Sequence, residues 1–168
     1  MEIVVVLDNI RSTYNVGAIL RTAEGFGARK VIFSGITPRV HDSSLLPHLR
    51  EKLDKQIHKT AHGAEDMVEI MNSEDISETI LTLKKNGYKV LGLENNIDKK
   101  LFELDSKVLK DKLGEKIVLV LGEEVKGINS SLYELIDLFV EIPMKGQKES
   151  FNVSVAAGIA LFELSKIS

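Results

Sequence analysis

An α/β fold, with a mostly parallel sheet and helices on both faces, is what this sequence predicts. Three observations carry that prediction. Short apolar runs rich in β-branched residues recur along the chain. Stretches with helical spacing and capping residues separate them. The length, 168 residues, is enough for one domain with a real core. A single domain over residues 1–168 is therefore expected, with no internal repeat, low-complexity segment or linker.

"IVVVL" (Ile3–Leu7) reads as a buried strand. A loop and a helix from about Val16 to Phe26 follow, then the strand "KVIFS" (Lys30–Ser34). Ser43 to Thr60 has helical character, with Pro47 near its start. "MVEIM" (Met67–Met71) reads as a short strand, and Ser73 as the cap of a helix ending at Gly87. "YKVLGL" (Tyr88–Leu93), "KIVLVL" (Lys116–Leu121) and "LFVEI" (Leu138–Ile142) are three more strands, with a short helix after Ser130 between the last two. The final helix, "FNVSVAAGIALFEL" (Phe151–Leu164), is apolar almost all round, whereas a surface helix needs only one apolar stripe.

Composition narrows the setting. The chain has no Cys, which excludes disulfides and Cys nucleophiles and suits a reducing, cytoplasmic interior. "MEIVVVLDN" is too short for a signal peptide or span, and no later apolar run is long enough to cross a bilayer. Net charge is −3, so any affinity for nucleic acid must rest on local cations.

Ligands bind parallel sheets at the carboxyl ends of strands, and three loops there stand out. In the first, Asp8–Gly27, the apolar stripe is Val16, Ile19, Leu20, Ala23 and Phe26. Arg21 falls opposite that stripe among small residues, and Asn15 sits at the helix mouth. Read plainly, Asn15 is an N-cap and Arg21 a solvated charge. The second loop, "LGEEVKGINSSL" (Leu121–Leu132), has glycines but no Gly-Lys-Ser/Thr, so it is not a P-loop. The third is "IPMKGQKESFN", where Gly146 permits a turn and Ser150 and Asn152 read as caps of the last helix.

Together these loops resemble the SpoU (TrmH-like) RNA 2′-O-methyltransferases of the SPOUT superfamily. The resemblance rests on Asn15, Gly17, Ala18, Arg21, Thr22 and Ala23, then on Gly122, Glu124 and Gly127, and last on Ile142–Glu163. "KTAHGAE" (Lys59–Glu65) also looks like a family segment. Phe151 stands where the family usually has Leu, and the chain starts at the first strand, where many relatives carry an N-terminal substrate-binding extension.

The resemblance implies a C-terminal deep trefoil knot and a homodimer built partly on the last helix. One face of that helix, Val153–Ala157–Ala160–Leu164, would pack on the sheet, and Ile159 would point to a second subunit. It implies S-adenosylmethionine as methyl donor, with no metal. It places Asn15, Arg21, Glu124, Ser150 and Asn152 at the reacting site, and Leu93, Glu94, Gly122, Ile142, Met144 and Phe151 around the cofactor. Arg21 suits a phosphate clamp better than a base, because guanidinium does not deprotonate in proteins. RNA would meet Lys126, Lys145 and Lys148, and transfer RNA is favoured over ribosomal RNA by the look of the first motif and of "KTAHGAE".

All four histidines lie between His41 and His62 beside Arg39, Arg50, Lys52, Lys55 and Lys59, which reads either as an RNA patch or as a solvated helix face. His58 and His62 have i,i+4 spacing, but no Glu follows His58 and no third ligand appears, so no metal site is expected. A catalytically silent RNA-binding protein of the same fold is the alternative.

Overall fold

A computed structural model describes residues 1–95 and 97–167. The chain runs β1 (Glu2–Asp8), α1 (Thr13–Gly25), β2 (Lys30–Ser34), α2 (Pro47–Ala61), β3 (Glu69–Ser73), α3 (Ile76–Lys85) and β4 (Lys89–Leu93). It continues through β5 (Leu101–Glu103), α4 (Ser106–Leu109), β6 (Lys116–Leu121), β7 (Leu138–Glu141) and α5 (Val153–Ser165). Turns of 3₁₀ helix lie at Ala64–Asp66 and Ser130–Leu135. The strands form one sheet in the order β3-β2-β1-β6-β4-β7-β5. Every ladder in it is parallel.

Central position explains the apolar runs. β1 pairs with β2 on one side and with β6 on the other, from Glu2↔Lys116 to Leu7↔Leu121. Alternate residues of β1 then face opposite sides. Ile3, Val5 and Leu7 join the core under α1 and α5, and Val4 and Val6 join the core on the face of α3. Hydrophobic burial on both faces, at about 25 cal/mol per Å² of apolar surface, is the main force holding these layers together.

Several element boundaries differ from the sequence reading, each for a local reason. α1 starts a turn early because Ser12, not Asn15, is its N-cap, accepting from the Asn15 N–H. That frees the Asn15 side chain for other contacts. α2 starts at Pro47 rather than Ser43, where the missing proline N–H costs nothing. α3 is capped by Asp75; Ser73 ends β3 and pairs its hydroxyl with that of Thr79. β5 and α4, three and four residues long, gave no periodic signal. α5 packs against α1. Its close neighbour α2 approaches α1 over Gly17, where an added Cβ would lie within 3.0 Å of the Ala61 nitrogen and nearer still to the Ile57 carbonyl.

Candidate active site

The carboxyl ends of β1, β4, β6 and β7 converge beside the start of α5. Glu124, just past β6, binds the mouth of α1. Its carboxylate accepts from the backbone N–H of Arg11 and of Ser12, both at 3.2 Å, and from the Asn15 side-chain amide at 2.9 Å. Asn15 Oδ1 in turn accepts from the Asn152 amide at 3.2 Å. Asn152 Oδ1 caps α5, accepting from the Ser154 N–H and hydroxyl. A continuous hydrogen-bond chain thus joins the three loops singled out in the sequence.

Charge placement follows from these contacts. Burial pushes the Glu124 carboxyl up, but the Asn15 amide and the backbone donors outweigh it and hold the group below the usual carboxylate range. A lowered carboxylate stabilises the fold at neutral pH, and that contribution is lost as pH falls through its depressed value. Glu124→Gln should therefore flatten the acid side of the stability profile. Thermal unfolding between neutral and acidic pH checks this, and parallel profiles for the two proteins would count against it.

The loop after β6 is closed by an antiparallel bridge, Glu123 N–H to Gly127 O at 3.0 Å and Gly127 N–H to Glu123 O at 2.9 Å. Gly127 has φ +71°, and Gly122 lies so close beneath it that a Cβ would sit 2.5 Å from the Gly127 oxygen. Glu94 packs against Gly127 and accepts from the Ile128 N–H. Burial raises the Glu94 carboxyl above its ordinary range despite that donor. Asn95 fastens the third loop at both ends, donating to the Ile142 carbonyl at 3.0 Å and to the Glu149 carbonyl at 3.4 Å.

Between these loops lies a cleft of about 590 Å³. Of the residues expected around a cofactor, Leu93, Glu94, Gly122, Ile142 and Phe151 line it, and Met144 does not. Among the expected reacting residues, Glu124, Ser150 and Asn152 line it, and Asn15 reaches it through its two amide bonds. Ser150 makes no cap; that role is taken by Asn152. Arg21 lies outside, exposed on the open face of α1, six positions beyond Asn15 or roughly 9 Å along the helix. Lys126 borders the cleft, while Lys145 and Lys148 are exposed beyond its lining. Gly146, expected to enable a turn, has neither a positive φ nor a crowding neighbour.

Sequence reasoning missed Asn95 and Arg11. Asn95 is the second residue after β4, so its place at a strand end was the available signal. Arg11 sits in the first loop, and its guanidinium pairs with Glu123 at 2.9 Å.

The histidine segment is largely occupied with local structure. His41 bridges Asp66 and Asp54; the Asp66 hydrogen bond, helped by Asp54, raises its pKa against the opposing effect of burial. His58 pairs with the buried Glu65 at 2.6 Å. No group of three metal-ligating side chains occurs among the described residues. Nor is any described helix long and apolar enough to cross a membrane.

Comparison with known proteins agrees with this fold. The model of the SpoU rRNA Methylase family matches residues 2–162. The 23S rRNA (guanosine-2′-O-)-methyltransferase RlmB of Xylella fastidiosa is 34% identical over 161 residues, covering 96% of this chain and 57% of that protein. RlmB of Coxiella burnetii is 32% identical, covering 98% and 58%. The chain thus spans less than two thirds of the length of these relatives. Among solved structures, the SpoU methyltransferase AviRb from Streptomyces viridochromogenes, in complex with AdoMet, superposes with a TM-score of 0.78 at 20% identity, over 98% of this chain and 60% of that one.

Proposed function

This chain belongs to the SpoU rRNA Methylase family, and from that premise we propose that it transfers a methyl group from S-adenosylmethionine to a ribose 2′-hydroxyl of RNA. The observation that carries the reading is the Glu124–Asn15–Asn152 chain at the rim of the cleft. A catalytically silent relative would have no need to hold these amides in register.

The cleft fits the methyl donor. Glu94, Glu123, Glu124 and Glu149 line it against the single cation Lys126, which favours a positively charged sulfonium. Leu93, Ile142 and Phe151 supply apolar surface for an adenine ring, and Gly122 lets the Glu123–Gly127 loop close against the end of β6. The bound donor supplies an electrophilic methyl carbon. A ribose 2′-oxygen held beside that carbon would take the methyl group from sulfur, with its hydroxyl proton passing to solvent. Asn15 and Asn152 fix the rim, and Ser150, exposed beside them, orients the hydroxyl. Glu124 is ionised and already holds three donors, so it positions Asn15 rather than accepting a proton. Arg21 clamps a phosphate and stabilises developing negative charge. Lys126, Lys145 and Lys148 extend the cationic path for RNA.

The relatives above act by name on guanosine of 23S rRNA. They do not support the transfer RNA favoured by the sequence, so ribosomal RNA is the substrate we propose first. Purified protein with labelled S-adenosylmethionine and separate rRNA and tRNA pools tests this. Label on tRNA alone would restore the earlier expectation, and no label on either would favour a silent RNA-binding protein. The proposal includes threading of the C-terminal segment through a deep knot; β7 inserted between β4 and β5 supports it.

It also includes a homodimer, with a different face from the one expected. Ile159 is half-buried and packs on the core, so a charge there would damage the subunit itself. The exposed apolar side chains are Val155 and Phe162 on α5, with Phe26 of α1 6.3 Å from Phe162 between ring centroids. Phe162→Glu should yield folded monomers in sedimentation, because burying an unpaired carboxylate costs several kcal/mol, on the order of 3–5. A dimer of unchanged strength would exclude this face.

A further inference from the structure

A second cleft, of about 530 Å³, lies across the Glu123–Gly127 loop from the first, at the carboxyl ends of β1, β2 and β6. Apart from the RNA contact given to Lys126, none of the roles above uses it. Its walls combine two cations, Arg11 and Lys126, with the ring of Tyr133 and the side chain of Ile36.

Each of these groups is held in place. Arg11 spends one nitrogen on Glu123, and its side chain stays 58% exposed, leaving other donors of the fork open. The ion pair fixes its direction, so little freedom is lost on binding an anion. Tyr133 packs edge-on to Phe139 with centroids 5.0 Å apart, which sets the plane of its ring. Ile36 is 61% exposed, yet its backbone N–H is bound by Asn9 Oδ1 at 3.2 Å. Asn9 itself has φ +59° and packs under Gly35. An exposed isoleucine on so fixed a turn is apolar surface displayed for contact.

Electrostatics selects among ligands. Arg11 and Lys126 against Glu123 leave one net positive charge in this cleft; the carboxylate of nearby Asp8 is buried and bonded to Ser34 and Asn9. One positive charge matches one phosphodiester, not a triphosphate. A flat apolar base then has Tyr133 and Ile36 to pack on, a contact available to any nucleobase.

We propose that this second cleft seats an RNA nucleotide neighbouring the one that is methylated, with its phosphate on Arg11 and Lys126 and its base against Tyr133 and Ile36. The inference rests on the RNA-methylating reading and adds a binding site to it. The shared Glu123–Gly127 wall places this nucleotide next to the methyl donor, so the cleft contributes to choosing the RNA position presented for reaction.

Amide-resolved NMR on the isotope-labelled protein tests the assignment. The probes are guanosine and cytidine 5′-monophosphates, added with and without saturating S-adenosylmethionine. Expected are shifts at Asn9, Arg11, Ser130 and Tyr133 that persist when the first cleft is filled. Arg11→Gln should weaken the mononucleotides about tenfold, the loss of one charge-assisted contact. Tyr133→Leu, which keeps packing on Phe139, should weaken them as well. Shifts confined to the first cleft, or full affinity in both variants, would overturn the inference. Failure to bind S-adenosylmethionine would instead sink the methyl-transfer reading, and it is read from a separate titration.

Discussion

Gly122→Ala should weaken binding of S-adenosylmethionine roughly ten- to hundredfold while leaving the sheet folded. The new methyl group would fall 2.5 Å from the Gly127 oxygen and closer still to the Gly127 carbonyl carbon and the Ile128 nitrogen. All three are backbone atoms, so no side-chain rotation relieves the clash. The Glu123–Gly127 bridge must open, and Glu94 loses the surface it packs on. Overpacking of this kind costs about 1–3 kcal/mol, or roughly ten- to hundredfold in affinity if it falls wholly on the bound state. Calorimetric titration measures the affinity, and circular dichroism confirms the fold. Gly146→Ala is the control, because that glycine has open space around it and an ordinary φ. Equal affinity in the two variants would mean that this loop does not wall the donor's site.

Arg21→Ala should lower the single-turnover rate by about 10²–10³, the range seen when one donor to developing negative charge is removed. Donor affinity and thermal stability should hold. Arg21 is exposed, and among the described residues it makes no hydrogen bond or ion pair, so truncation takes nothing from the fold. Arg21→Lys should recover little, since a compact ammonium does not reproduce the planar fork. A rate near that of the parent protein would remove Arg21 from the mechanism. The position of Arg21 makes the experiment decisive for geometry as well. It lies on the same open helix surface as Tyr14, outside its own cleft, and an RNA strand or a second subunit must cover that surface for it to act.

The frame of the sheet was legible because strands buried on both faces are written in apolar runs rich in β-branched residues. β2 and β6 have the bounds read from the sequence, and β1 differs by one residue at each end. Caps were less legible. Ser, Asn and Asp cluster at each helix start, and local geometry alone chose Ser12 over Asn15 and Asp75 over Ser73. That choice mattered for the site, since a capping Asn15 could not have joined Glu124 to Asn152. Residue types at strand ends pointed to the cleft, yet they carried no sign that Met144 lies outside its lining or that Asn95 anchors its third loop. Those depend on how separate loops meet. The outer face of α5 was misassigned for a similar reason: on an all-apolar helix the pattern shows no preferred side, and packing on α1 decides that Phe162 rather than Ile159 is the more exposed.

The central place of β1 also sets a schedule for the growing chain. Its neighbour β2 is made soon after it, but β6, which pairs with its other edge, begins about a hundred residues later, a wait of roughly 5–20 s at typical rates of synthesis. Throughout that interval a row of unpaired amides and carbonyls flanked by Ile3, Val4, Val5 and Val6 lies open to any other extended chain. Early halves of this molecule are therefore the species most prone to clump, and slow, non-local pairing of this kind makes unassisted refolding from denaturant inefficient at high protein concentration.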